Sequence, residues 1–193
     1  SIAGVIFFMS FGFFAHFSNG LLSTYPPAQK QILANFFSPG EYVMQRSSED
    51  NLKNFQEGKN KKKIIIIGDS FSQDIANAVY DSNLNKYYEI STYFIPNQCG
   101  ILAVDYKEIS KFVLYECANK YKFIENKPLQ KLIIQADQVW LGSAWNEWTI
   151  PFIQKSIENL QKLNTNILVF GSKSFGIVKP HIFKFSPERD WSE

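Results

Sequence analysis

Lys63-Ile64-Ile65-Ile66-Ile67-Gly68-Asp69-Ser70-Phe71-Ser72-Gln73 is the stretch on which the reading of this chain turns. Its four consecutive isoleucines form a short β-branched run, the pattern of a strand buried on both faces. Gly68-Asp69-Ser70 breaks the strand, and Ser72, Gln73 and Asp74 open a helix-compatible segment that reaches about Tyr80. A serine at such a strand-to-helix junction lies at the positive end of a helix dipole, among free backbone N–H groups. That setting stabilises an alkoxide or an oxyanion. The same tripeptide also reads as a plain turn with Asp69 or Ser70 as N-cap, and the local residues leave both readings open.

Working outward, strands and helices alternate from Lys61 onward. Glu89 to Ile95 (EISTYFI) alternates and is β-rich, Gln138 to Leu141 (QVWL) ends at Gly142, and Asn166 to Phe170 (NILVF) is closed by Gly171-Ser172. With Ile64 to Ile67 these make four predicted strands. Helices are predicted at about 71–80, 107–123 and 128–135. A further one covers 150–163, where Ile150, Ile153, Ile157 and Leu160 recur at helical spacing. Such alternation with short loops predicts an α/β fold with a parallel sheet covered on both faces. Functional groups of such sheets gather beyond the C-terminal strand ends, where Ser70, Gly100, the segment 142–148 and Ser172 all fall.

The N-terminal part reads differently. From Ile2 to Phe17 the chain is apolar except for Ser10 and His16, and its first charged residue is Lys30. The run is shorter than the roughly 20 residues of a spanning helix. It also lacks the basic n-region and small-residue cleavage site of a signal peptide. Residues 1–18 are therefore expected to be the trailing part of a transmembrane helix, with a buried soluble helix as the alternative; His16 sits at its interfacial end. A short helix is expected at 28–36 after Pro26-Pro27, and the polar composition of 38–60 reads as a linker within 19–60. Residues 61–193 suffice for one modest domain.

The net charge of +2 and scattered lysines carry no basic stripe or recognition module, which argues against nucleic acid. The dense run Lys59 to Lys63 (KNKKK) reads as a solvated linker end, with anionic lipid headgroups as the alternative partner. Cys99 and Cys117 form no CxxC and have no histidine nearby, so no metal site is expected. They are either a loop-to-helix disulfide or two free buried thiols.

Together IIIIGDSFSQD at the first strand, the loop NQCG after the second, a second cysteine beyond it and the segment VWLGSAWNEW resemble the SGNH (GDSL-like) hydrolase family. More narrowly, they resemble the periplasmic SGNH domain fused behind the membrane acyltransferase-three domain of bacterial cell-envelope O-acyltransferases. The resemblance covers essentially the whole chain. It implies a three-layer α/β/α, flavodoxin-like fold preceded by a membrane helix end, located at the bacterial inner membrane with the SGNH domain in the periplasm. It implies Ser70 as nucleophile, Gly100 as an oxyanion-hole donor beside the Ser70 N–H, Asp69 as a loop-holding motif residue, and a Cys99–Cys117 disulfide. No cofactor is implied; an upstream membrane domain would deliver the acyl group, drawn from acetyl-CoA on the cytoplasmic side.

Two departures stand out. Gly142-Ser143-Ala144 puts alanine where the family has an asparagine that donates to the oxyanion. Asn146, two places later, is the substitute candidate, and Trp145 matches the aromatic of the fused subgroup. An exposed Trp145 would be a surface for carbohydrate, while Trp140 and Trp148 read equally as core or rim aromatics. The family's base is a histidine three residues after an aspartate, and no Asp-x-x-His exists here. His181 has Val178 where the aspartate would be, and Asp190 is followed three residues on by Glu193. The expectation is an incomplete SGNH domain whose histidine lies in a further C-terminal segment, with a truncated and inactive copy as the alternative. His181 reads as a surface-loop residue, with a substitute base as the alternative. The implied activity is O-acyl transfer, most simply O-acetyl, to an envelope glycan such as lipopolysaccharide O-antigen or peptidoglycan. The alternatives are an esterase using the same acyl-serine and a non-catalytic glycan-binding remnant. A nucleotide binder is disfavoured because no phosphate-cradling glycine loop is present.

Overall fold

The isoleucine run is the centre of the molecule. In the computed structural model, which describes residues 2–18, 24–27, 30, 39–58, 60–112, 116–117, 121, 123 and 125–171, all four isoleucines have no solvent-exposed surface. Their side chains alternate between two cores. Ile64 and Ile66 pack with Ala76, Val79 and Ile90, whereas Ile65 and Ile67 join the larger cluster built on Leu129, Leu132, Ile133, Val139 and Leu160. A strand with period-two side chains and apolar residues at every position has to be covered on both faces, and that requirement sets the layering.

The described elements are α1 (Ile2–Phe17), α2 (Pro39–Glu49), β1 (Lys62–Gly68), α3 (Ser70–Asp81), β2 (Tyr88–Phe94), α4 (Tyr106–Ile109), α5 (Lys127–Gln135), β3 (Gln138–Gly142), α6 (Ile150–Gln161) and β4 (Ile167–Phe170). The sheet is wholly parallel, in the order β2-β1-β3-β4. α3 covers one face, while α5 and α6 cover the other, giving a three-layer α/β/α fold. The four predicted strands appear with ends shifted by no more than two residues. Because β1 connects to β2 on one side and the chain then crosses to β3 on the other, the winding reverses between β1 and β3. In doubly wound sheets that reversal opens a crevice at the strand ends.

The helix expected over 107–123 is interrupted. Tyr106–Ile109 forms one turn, capped by Asp105 through the Lys107 N–H; residues 110–112 leave the helix, and Glu116 and Cys117 are helical again. The Ser110 hydroxyl then donates back to the Lys107 carbonyl, a local bond that competes with continued helix. The helix expected at 28–36 lies outside the described residues apart from Lys30.

Residues 39–56, polar enough to read as linker, are part of the folded unit. α2 packs on α3 and β2. The Thr92 hydroxyl donates to the Ser47 carbonyl (2.6 Å), the Thr92 N–H to the Asp50 carbonyl (2.9 Å) and the Leu52 N–H to the Thr92 carbonyl (2.8 Å). Asn51 thereby pairs in parallel with Thr92, and the segment covers part of the open edge of β2. The buried Asp50 carboxylate accepts from the Tyr80 hydroxyl and from Lys53 Nζ. Burial first, and then the Asp50 contact, pushes the Tyr80 phenol well above its ordinary range. The docking runs through backbone groups, paired polar side chains and two apolar residues, Leu52 and Phe55, packed on the larger core, too few to make an apolar pattern.

α1 is apolar except for Ser10 and His16, and none of its residues is buried. At 16 residues it is about 24 Å long. No helix among the described residues is long and apolar enough to cross a membrane. Cys99 and Cys117 are joined as a disulfide with Cα atoms 5.2 Å apart.

Replacing Ile65 or Ile66 by alanine should cost about 2–5 kcal/mol each, because neither sheet face can close over the lost methylenes. Ile134→Ala, at a position 60% exposed on α5, should stay within about 0.5 kcal/mol. Urea unfolding of the three variants under matched conditions measures the contrast, and equal losses would contradict the two-core layering.

Candidate functional site

Two glycines place the helix that carries Ser70. Gly68 and Gly142 are the last residues of β1 and β3 and are register partners. A Cβ on Gly68 would stand 1.8 Å from the Gly142 carbonyl oxygen and 2.8 Å from Ser72 Cβ. One on Gly142 would meet Ile75 Cδ1 at 2.5 Å and Ser72 Cα at 3.3 Å. Both strands therefore end without side chains, and the first turn of α3 rests directly on the paired ends.

Asp69 fixes that arrangement. It is the N-cap of α3, and Oδ1 accepts from the Phe71 N–H at 2.9 Å. Oδ2 accepts from the Ser143 hydroxyl at 2.8 Å and the Ala144 N–H at 2.9 Å, across 74 and 75 residues of sequence. The carboxylate is 1% exposed, and these three donors take the place of water. Asp69 thus does more than make the local Asx-type bond. It ties the loop after β1 to the loop after β3, and with its oxygens so engaged it is not placed to take a proton from Ser70.

Ser70 is the first residue of α3 and is exposed. Among the described residues its hydroxyl has no hydrogen-bond partner, and its N–H belongs to the first helical turn, where no intrahelical acceptor exists. Ser72 behaves oppositely: it is buried and its hydroxyl donates to the Asp69 carbonyl at 2.7 Å. Of the two hydroxyls in the motif, Ser70 alone faces solvent.

The other predicted site residues gather at the same end of the sheet. The loop after β2 is held by the Ile95 N–H on the Gly68 carbonyl (2.8 Å) and by the disulfide through Cys99. Gly100 has φ +66°, and a Cβ there would also strike Trp148 Cη2 at 2.7 Å, so conformation and packing both require glycine. Its N–H donates to the Asn97 carbonyl at 3.1 Å, closing a tight turn. The Asn146 amide donates to the carbonyl (3.1 Å) and to the side-chain oxygen of Asn97, clamping the loop after β3 to the loop after β2. The Ser70 N–H is an open donor beside its hydroxyl.

Trp145 is half-buried rather than an exposed platform. It packs on the larger core and donates its indole N–H to the Phe170 carbonyl at 2.7 Å. Trp148 stacks on Phe112 with ring centroids 5.8 Å apart, and Trp140 lies between Tyr88 and Phe170. All three indoles are drawn into packing, Trp145 and Trp148 on the larger core and Trp140 on the smaller. The sequence marked Ser143 and Ala144 only as the place of the missing asparagine and Asn97 only as part of NQCG. Their roles as partners of Asp69 and Asn146 had a faint signal, that both β1 and β3 end in glycine followed by a short polar residue. His181 and Ser172 lie outside the described residues. His16 is on α1, and among the described residues no cluster of histidine, cysteine, aspartate or glutamate could hold a metal ion.

Comparisons of the chain with protein-family models, with curated proteins and with solved structures find no match.

Asp69→Asn leaves one acceptor oxygen for three donors and turns an amide N–H₂ toward the others, so it should cost about 1–3 kcal/mol. Gly142→Ala should cost a similar amount through overpacking against Ile75. Thermal unfolding reads both; wild-type stability in either variant would show that the strand-end junction is not held as described.

Opening the Cys99–Cys117 bond frees a loop with a sequence separation of 18 residues. Cys117→Ser should therefore lower stability by about 3 kcal/mol, measured against the oxidised wild type in urea. A wild type indifferent to reductant would mean the loop is held without the bond.

Proposed function

We propose that this chain is an O-acyltransferase domain in which Ser70 receives an acyl group as an ester and passes it to a hydroxyl of a bacterial envelope glycan, such as lipopolysaccharide O-antigen or peptidoglycan. The observation that carries the reading is the exposed, unpartnered Ser70 hydroxyl on the first turn of α3, beyond the point where the winding of the sheet reverses. In the first step Ser70 Oγ bonds to the acyl carbonyl carbon, the leaving group departs and the serine proton passes to a base. In the second step an acceptor hydroxyl attacks the acyl carbon and Oγ recovers a proton. The positive end of α3 and the open Ser70 N–H favour the negative charge that develops on the carbonyl oxygen.

Two further features support an envelope setting. A disulfide fits an oxidising compartment such as the periplasm. An apolar helix that buries nothing within the chain fits a protein held at the inner membrane, where an upstream membrane domain would supply the acyl group from a donor such as acetyl-CoA. The base is the missing member. A serine hydroxyl needs one to become a nucleophile, and Asp69 is occupied by its three donors. With no Asp-x-x-His in the sequence, this chain alone should turn over an activated acetyl ester only weakly.

The test is to incubate the chain with an activated acetyl ester, with and without added imidazole as an external base, and to locate the acetyl group by mass spectrometry. Acetylation should fall on Ser70 and rise with imidazole, and Ser70→Ala should lower it by on the order of 10²-fold. Acetylation elsewhere, or undiminished in Ser70→Ala, would remove the catalytic reading. Adding a glycan acceptor separates transfer from hydrolysis: a transferase passes its label to the sugar, an esterase releases it to water.

A further inference from the structure

The end of the sheet opposite Ser70 carries a distinct feature. Lys61 and Lys62, where the chain enters β1, meet Lys86 and Tyr87, which precede β2, along one groove of about 720 Å³. Lys62 and Lys86 are exposed, and Tyr87 is 68% exposed at the same rim. None of these lysines, nor the adjacent Lys63, forms an ion pair with a described residue, whereas Arg46, Lys53 and Lys155 each do. Lys61 Nζ donates to the Asn85 carbonyl at 2.8 Å, which orients it without neutralising it. The acid at the groove, Asp137, accepts the Lys63 backbone N–H at 2.7 Å. In a chain with 20 basic and 18 acidic residues this is a local excess, not an overall charge.

The run KNKKK alone reads as a solvated linker end. The fold makes something else of it: Lys62 and Lys63 are strand residues, and the parallel pairing of Lys62 with Tyr88 brings Lys86 and Tyr87 from 24 residues away to the same rim. Unpaired ammonium groups around an exposed tyrosine match the headgroup layer of an anionic membrane, where lysines meet phosphate and an aromatic ring sits at the apolar boundary. The same chain carries, on the N-terminal side of that run, an apolar helix that buries none of its residues. We propose that the Lys61–Lys62–Lys86–Tyr87 groove is a docking surface for an anionic phospholipid bilayer. β1 is seven residues long, which sets the groove about 20 Å from Ser70. The inference therefore does not rest on the acyl-transfer reading, and either can fail without the other.

The experiment measures binding of the full chain to phosphatidylcholine vesicles with and without phosphatidylglycerol. α1 contributes to both alike, so the ratio of affinities isolates the charged surface. The expected result is tighter binding to the phosphatidylglycerol vesicles, weakening with salt. Lys62→Gln/Lys86→Gln, which keeps the Lys61–Asn85 bond, should reduce that preference by on the order of 25-fold, about fivefold per lysine. A fluorophore attached through Tyr87→Cys should be quenched by a lipid-borne quencher in the anionic vesicles. Equal binding to both vesicle types would overturn the proposal, as would a preference that survives the double substitution. So would a preference abolished by inorganic phosphate at matched phosphate concentration, since that would mark a small-anion site.

Discussion

The Asp69 carboxylate, bound by the Phe71 N–H, the Ser143 hydroxyl and the Ala144 N–H, is the contact on which the functional end of this fold depends. It acts where β1 and β3 stop in paired glycines, so that no side chain separates the strand ends from the first turn of α3. A carboxylate taken out of water is costly unless donors replace the lost hydration. That cost makes the junction specific: one donor on the first turn of α3 and two on the loop after β3 have to arrive together, and this ties the position of Ser70 to that loop.

The loops around Ser70 are tied in series. Ile95 binds the Gly68 carbonyl, Asn146 binds Asn97, Trp145 binds the Phe170 carbonyl, and Cys99 is bonded to Cys117. The N–H of Gly100 closes a turn within its own loop on the Asn97 carbonyl, and the amide of Asn146 reaches across to Asn97 from the loop after β3. The Ser70 hydroxyl escapes this because it lies at the first helical position with its side chain outward, while Ser72, two residues on, turns inward to the Asp69 carbonyl. The result is a rigid frame around one open nucleophile candidate, the arrangement that orientation-dependent chemistry requires.

The two ends of the parallel sheet differ in character. The C-terminal end is tied by buried hydrogen bonds to a carboxylate, whereas the N-terminal end carries lysines with no ion pair among the described residues. α2 and the segment that follows it cover part of the free edge of β2, with the Tyr80–Asp50 contact at their centre. What composition marks as linker is thereby joined to the domain core, and the chain reaches β1 already docked.

Local chemistry was enough to place much of this. The β-branched run, the glycine that stops it and the aspartate that caps the next helix specify β1, the turn and α3 within a dozen residues. Strand–helix alternation then predicts a parallel sheet covered on both faces, while the order β2-β1-β3-β4 was set only in the tertiary structure. The exposure of Ser70 at the end of β1 was legible for the same reason. The partners of Asp69, the use of Asn146 as a clamp, the burial of Trp145, the docking of residues 39–56 and the meeting of Lys62 with Lys86 were decided only by tertiary structure. Each joins residues 24 to 75 positions apart through a single hydrogen bond, a backbone pairing or a shared rim. Sequence periodicity reports which face of an element is apolar; it carries no record of which distant donor a buried carboxylate will find, because that choice is made when the strands come into register.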